Sequence, residues 1–406
     1  MHVRGWIKDV MYGLIIFGIC AALILVVSVA ADNIVAKHNA VIVSKNVNSN
    51  LDCDDSLCTS VDNVSGSENN ENVNLACDGR DSDNNNNNIN NKKIACWGDS
   101  ITYGLGGQEN TYIKSEAGII DASNWNYPDT LRYYTGMDVY NLGVCGETSY
   151  EIALRQGGIK MYVGKQVTVK PGKRTQISIV DESGNPVVLE NFNGYETDNQ
   201  QPENVVYITD NCGEIVLDKI AIQILKNDNS RIYISIYDNA VDKSVKLKKG
   251  SQIITKAAHD ISGDVLVIQM GSNGGWNDYD ELIEQYKAMI ANSGTECYII
   301  IGDTDNPDES VDSANYTSSQ EVGTGDSMWE AALREAFGEH FINMRTYLLE
   351  NALNIAGLEP TQMDEEDLSQ GRVPETIKYD YTHLNSYGYY AIGYGVYEKG
   401  LELGYW

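Results

Sequence analysis

Basic residues are scarce in this chain. Its 29 lysines and arginines face 58 aspartates and glutamates, for a net charge of −29. Nucleic acid and anionic membrane surfaces carry the same sign and would repel it, which argues against both as partners. A secreted or surface-exposed protein acting on neutral or basic material fits better. No Cys-x-x-Cys occurs among the eight cysteines, so neither a zinc ribbon nor a thioredoxin-like redox pair is supported. Cys96 and Cys297 fall in apolar runs, where cysteine is usually a small buried hydrophobe. Cys53, Cys58 and Cys77 lie in a polar stretch and can pair only if the chain is exported. Phenylalanine occurs 4 times against 26 tyrosines, which fits a wet surface and sugar stacking. No internal repeat stands out. Gly104-Leu105-Gly106-Gly107 lacks the Lys-Ser/Thr of a phosphate loop and the spacing of a dinucleotide fingerprint, and reads as a flexible loop.

What is present divides the 406 residues into segments, as expected for a chain longer than one ordinary domain. Residues 10–31 are almost wholly apolar and follow Arg4 and Lys8. This is a positive n-region before a span of about the ~20 residues that cross a bilayer. Residues 1–31 therefore read as an uncleaved N-terminal membrane anchor or as a signal peptide cleaved near Ser28-Val29-Ala30. Either way the rest of the chain is extracytoplasmic, membrane-anchored or secreted. Residues 32–91 are rich in Asn, Asp and Ser and too poor in apolar side chains to offset the entropy of ordering, so they read as a disordered linker.

Folded patterning begins near Lys92. Apolar strand-like runs at 94–97, 139–142, 265–270, 297–301 and 341–343 alternate with helical patterns at 130–134, 149–156, 279–291, 328–337, 347–355 and 386–398. Alternation of this kind predicts an α/β fold, a flavodoxin-like parallel sheet with helices on both faces. Residues 161–258 break the pattern. Period-two runs at 166–169, 176–180, 205–208, 220–225 and 231–236, bounded by turns such as Pro171-Gly172, predict an inserted all-β module. The α/β domain would then comprise residues 92–160 and 259–406.

In open α/β sheets, ligands bind beyond the carboxyl ends of the strands. Three suggestive loops follow directly after predicted strands. Ile94-Ala95-Cys96-Trp97-Gly98-Asp99-Ser100 reads as a strand, a sharp turn and a serine. If a helix follows, its unpaired N–H groups give a nucleophile at Ser100 a donor for the oxyanion it creates. Asn141-Leu142-Gly143-Val144-Cys145-Gly146 is either an ordinary strand-to-helix turn or a loop whose Gly146 N–H faces that oxyanion. Asn273, in Gly271-Ser272-Asn273-Gly274, is either a turn residue or an amide donor.

Ester hydrolysis through a serine also needs a base near pKa 7 and a group to orient it. Of the five histidines, His2 and His38 lie in or beside the apolar span, and His259 and His340 precede predicted strands, at the wrong edge. His383 is left. Asp380, three residues earlier, is close enough in one turn to hold the ring's tautomer and aim its other nitrogen at Ser100. Asp-x-x-His alone is also compatible with a surface loop and helix cap.

Ser100, Gly146, Asn273 and His383, in this order, resemble the four blocks of the SGNH (GDSL-type) hydrolase family. The resemblance covers residues 92–158 and 263–406. It implies Ser100 as nucleophile, His383 as base, Asp380 as its orienter, and an oxyanion hole of Ser100, Gly146 and Asn273, with no cofactor and no metal. Ile101 replaces the usual Leu, and Gly274 stands where the family often has Asp, a change that bears on support of the Asn273 loop. The β-module is absent from minimal members. The function expected is an extracytoplasmic serine ester hydrolase for small acyl esters, deacetylating a polysaccharide. A lipase or lysophospholipase, or a non-catalytic wall-tethered carbohydrate-binding protein, are the alternatives. Asp303-Thr304-Asp305-Asn306-Pro307-Asp308 resembles a calcium loop superficially, but Pro307 spoils the register. Trp276 is placed either to stack on a sugar or to pack on the sheet edge.

Overall fold

Neighbouring residues in the apolar runs send their side chains to opposite faces of a sheet, and both faces here are covered. The computed structural model describes residues 92–115, 118–189, 205–210, 215–225, 231–236, 243–304 and 325–406. The anchor or signal reading of 1–31, the linker reading of 32–91, and Cys20, Cys53, Cys58, Cys77 and Cys212 lie outside the described residues. Among the described residues no helix is long and apolar enough to cross a membrane.

Five parallel strands form the central sheet: β1 (Lys93–Gly98), β4 (Asp138–Gly143), β14 (Val265–Gln269), β15 (Tyr298–Ile301) and β16 (Phe341–Ile342). Their spatial order is β16-β15-β14-β1-β4. Counted within this sheet alone, that is 2-1-3-4-5, compatible with a flavodoxin-like arrangement. Ile94, Cys96, Val265, Val267, Ile299 and Ile301 face one core, which the helices α2 (Tyr127–Thr135), α7 (Met344–Ala356) and α9 (Ser386–Glu402) complete. Ala95, Trp97, Leu266, Ile268 and Ile300 face the other, completed by α3 (Ser149–Gln156), α5 (Tyr279–Ser293) and α6 (Met328–Phe337). Each large side chain so buried contributes about 1.5–3 kcal/mol, which is why these strands are continuous apolar runs.

A second sheet, antiparallel wherever its strands pair, is made from the chain between α3 and β14. Its seven strands run in the order β7-β11-β10-β9-β13-β5-β8, with β5 at Met161–Val163, β7 at Thr175–Gln176, β8 at Ile179–Val180, β9 at Val205–Thr209, β10 at Ile215–Leu225, β11 at Arg231–Ile236 and β13 at Gln252–Thr255. Its core includes Met161, Val163, Ile179, Val206, Ile208 and Ile253, and Leu154 of α3 joins it. The Thr255 hydroxyl donates to the Arg155 carbonyl at 2.5 Å, a second tie to the same helix. The run expected as one strand at 176–180 is two, β7 and β8, which pair with β11 and β5 respectively.

Register explains where the loops meet. Gly98 of β1 lies opposite Gly143 of β4 and Gln269 of β14, so the three strands end at one level. A Cβ on Gly98 would sit 2.0 Å from Thr102 Oγ1 and 2.4 Å from the Gln269 carbonyl; only glycine lets the chain turn there.

Candidate active site

After Gly98 the chain turns through Asp99 into the four-residue helix α1 (Ser100–Tyr103). Asp99 caps it, one carboxyl oxygen accepting the Ile101 N–H at 2.9 Å. Ser100 is therefore the first helical residue and is 6% exposed. Its hydroxyl has a partner from the far end of the chain: His383 Nε2 lies 2.9 Å from Ser100 Oγ. The other ring nitrogen of His383, Nδ1, is 2.9 and 3.0 Å from the two oxygens of Asp380.

The loop carrying this pair is held by its own backbone. Tyr379 N–H donates to the His383 carbonyl at 2.8 Å, closing a tight turn, and Lys378 bridges to Leu384. Asp380 Oδ1 accepts the N–H of Thr382 at 2.9 Å and of His383 at 2.7 Å. Partial burial would raise the Asp380 carboxyl, but these N–H groups and the imidazole outweigh it and hold it below the usual range. The carboxylate is thus kept ionised and aimed at the ring. Asn385 anchors the loop to α9: its carbonyl oxygen accepts the N–H groups of Tyr387 and Gly388, and its amide donates to the carbonyls of Thr376 and Lys378.

Gly146 adopts φ +75°, a left-handed conformation that favours glycine, in the turn between β4 and α3. Asn273 follows β14, and its amide nitrogen reaches the neighbours of both other loop residues. It donates to the carbonyl of Glu147, next to Gly146, at 3.2 Å, and lies 3.4 Å from an oxygen of Asp99, next to Ser100. An amide offers two N–H groups, so one is anchored on Glu147 while the other has only the long approach to Asp99.

Gly274 follows Asn273 and brings no side chain to the loop, and other residues brace it. Ser149, at the start of α3, gives both its N–H (2.9 Å) and its hydroxyl (3.0 Å) to the Gly274 carbonyl. The Ser272 hydroxyl donates to Asp303 at 2.9 Å. Trp276 is buried against Trp329 and Tyr279, its indole N–H on the Gly271 carbonyl at 2.9 Å. Of the two readings of Trp276, packing is the one observed. Residues 305–308 of the calcium-like loop lie outside the described residues.

Electrostatically the floor of the site is acidic. Burial pushes the Asp99 carboxyl up to about 7 even though it caps a helix, with Asp303 adding to the rise. Burial likewise pushes the Glu147 carboxyl up, while the Arg155 guanidinium beside it pulls the other way. At the rim, Tyr379 and Tyr381 flank Asp380 and are 61% and 66% exposed. No protein-family model matches this chain, and no curated protein does.

Several residues of this arrangement were given no role in it from the sequence: Asp99, Glu147, Ser149, Arg155 and Asn385, while Asp303 was read only as part of a calcium-like loop. Only two carried a readable signal, Asp99 and Asn385, each a cap-type residue just before a helix. Among the described residues the two other histidines, His259 and His340, are engaged elsewhere. His259 pairs with Asp260 at 2.7 Å, and His340 Nδ1 lies between the Tyr298 carbonyl (3.1 Å) and the Tyr405 hydroxyl (3.0 Å).

Proposed function

We propose that this chain is a serine ester hydrolase of the SGNH (GDSL-type) kind, with a flavodoxin-like catalytic domain interrupted by an inserted β-module. The observation that carries this reading is the linear set Ser100 Oγ, His383 Nε2, His383 Nδ1 and Asp380, joined at 2.9 Å and 2.9 Å. A serine hydroxyl is a weak nucleophile unless a base receives its proton as the bond forms. His383 is placed to do this, and Asp380 fixes the tautomer that leaves Nε2 free to accept.

In the first step Ser100 Oγ adds to the ester carbonyl and His383 takes its proton. The negative charge on the carbonyl oxygen is received by the N–H groups of Ser100 and Gly146 and by the Asn273 amide. Collapse of this intermediate breaks the ester bond, and the imidazolium gives its proton to the leaving alkoxide, releasing an alcohol. Water then attacks the acyl-Ser100 by the same route, returning free acid and enzyme.

The substrate class proposed is a small acyl ester on a carbohydrate, an O-acetyl group above all. Tyr379 and Tyr381 at the rim offer apolar faces with polar tips, suited to a sugar ring. The net charge of −29 disfavours an anionic lipid. The apolar run at residues 10–31 supports action outside the cytoplasm, on a wall or capsule polymer. The test is a panel of acylated glycans and lipids with the released acid identified. Acetate from glycans is the expected product; long-chain acids from lipids with no acetate from glycans would overturn the substrate assignment.

A further inference from the structure

Arg155 and Glu147 form an ion pair in the interior. Their side chains are 3% and 0% exposed, and Arg155 Nε lies 2.9 and 2.8 Å from the two Glu147 oxygens, with Nη2 2.7 Å from one of them. The guanidinium lies 5.0 Å from the centre of the Trp97 ring, and Nη2 also reaches the carbonyls of Leu142 (2.8 Å) and Gly98 (3.3 Å). Gly98 closes β1 two residues before Ser100, and Leu142 lies at the end of β4 four residues before Gly146. The Glu147 main-chain carbonyl accepts the Asn273 amide. One buried cation thus touches, directly or through Glu147, the backbone that sets all three oxyanion donors.

We propose that the Arg155–Glu147 pair is the positioning device of the oxyanion site. Arg155 locks the ends of β1 and β4 to Glu147, and the Glu147 carbonyl fixes which way the Asn273 amide points. This inference rests on the hydrolase reading and deepens it. Stability alone is a poor reason for such a pair, because desolvating two charges offsets most of their attraction, and apolar replacements are often neutral or better. Its worth lies in geometry, and a shift of about 1 Å in a positioned group can cost about 100-fold in rate.

The molecule contains its own control. Arg345 and Glu330 are a second buried pair, at 2.7 Å, with further bonds from Arg345 to the Gly325 and Gly371 carbonyls. None of these partners is a site residue.

The experiment compares kcat and KM for p-nitrophenyl acetate, together with Tm, in wild type, Arg155→Lys, the double variant Glu147→Leu/Arg155→Met, and Arg345→Lys. Lysine keeps the charge but lacks the planar fork that reaches three carbonyl or carboxylate groups at once. Both site variants should lose about 10- to 100-fold in kcat with KM within threefold, the double variant holding a Tm near wild type. Arg345→Lys should lower Tm while kcat stays within twofold. Should the double variant fail to fold, Arg155→Lys decides by the same split. Folded site variants that keep kcat within threefold overturn the inference alone. An inactive wild type overturns the hydrolase reading and this inference with it.

Discussion

His383 Nε2 and Ser100 Oγ are 283 positions apart in sequence and 2.9 Å apart in space. The contact depends on two independent pieces of architecture: the β1 turn, which only Gly98 allows, and the loop before α9, which Asn385 pins. A serine and a histidine from distant parts of the chain meet because both flank the carboxyl edge of one sheet.

Replacing Asp380 by Asn tests the orienting carboxylate. Asn keeps an acceptor for the Thr382 and His383 N–H groups, so the loop should survive. The charge that stabilises the imidazolium is lost, and kcat should fall about 10³- to 10⁴-fold with little change in KM. A kcat within tenfold of wild type, by steady-state hydrolysis of p-nitrophenyl acetate, would remove Asp380 from the proposed set.

Asn273→Ala removes one proposed oxyanion donor and nothing from Ser100, the proposed nucleophile. The expected loss is about 10²–10³ in kcat, the usual cost of one such donor. Because the interaction is strongest with the developing charge, KM should move little. An unchanged kcat would mean the amide serves only its bond to Glu147.

Stability should depend on pH through Asp99. Its carboxyl titrates about 7 in the folded chain, above the value near 3.8 of an exposed aspartate. The folded state therefore holds this proton more tightly than the unfolded state. Its favourable contribution is full below about 3.8 and is lost as pH rises through 7. Asp99→Asn should raise Tm relative to wild type progressively between pH 5 and pH 8, and the rise should be seen in parallel melts at each pH. A constant Tm difference across that range would contradict the buried, proton-holding carboxyl. The Asp99 charge also helps to raise Glu147, so its removal in Asp99→Asn lessens that rise and adds to the same trend.

Much of the scaffold was legible because its ends are written locally. The helices α3 and α6 begin and end where the pattern placed them, since Thr148 with Glu151 and Ser327 with Glu330 form capping boxes and Gly157 and Gly338 follow. Helix α2 was read too short: its cap Asn126 and box partner Asp129 precede the apolar positions that drew attention. Helix α7 starts at Met344 because Asn343, taken as the last residue of a strand, is its cap. The hairpin of β2 (Tyr112–Ser115) and β3 (Gly118–Asp121) went unread, because four-residue strands with one buried face leave little pattern. Partner choice in the second sheet was beyond reach of periodicity, as the splitting of β7 from β8 illustrates. In the site, Ser100, Gly146, Asn273 and His383 stood out by following strands or by scarcity. Arg155 did not, because a helical arginine looks like a solvated one until its partners across two strands are known.

The aromatic rim makes the substrate assignment testable. Tyr381 is next to Asp380 and 66% exposed, so its loss should leave the Ser100–His383 geometry alone. Tyr381→Ala should raise KM for an acetylated oligosaccharide about three- to tenfold, in line with the loss of one aromatic contact of about 0.5–1.5 kcal/mol. KM for p-nitrophenyl acetate, which carries no sugar, should stay within twofold. Equal effects on both substrates would argue against a sugar platform.

The most direct measurement of the central claim is the hydrolysis rate of p-nitrophenyl acetate by Ser100→Ala beside wild type, with circular dichroism to show that both are folded. Ala removes only the hydroxyl that His383 contacts, and the account predicts a loss of at least about 10³-fold in kcat. A folded Ser100→Ala protein that retains activity within tenfold of wild type would contradict the serine mechanism outright.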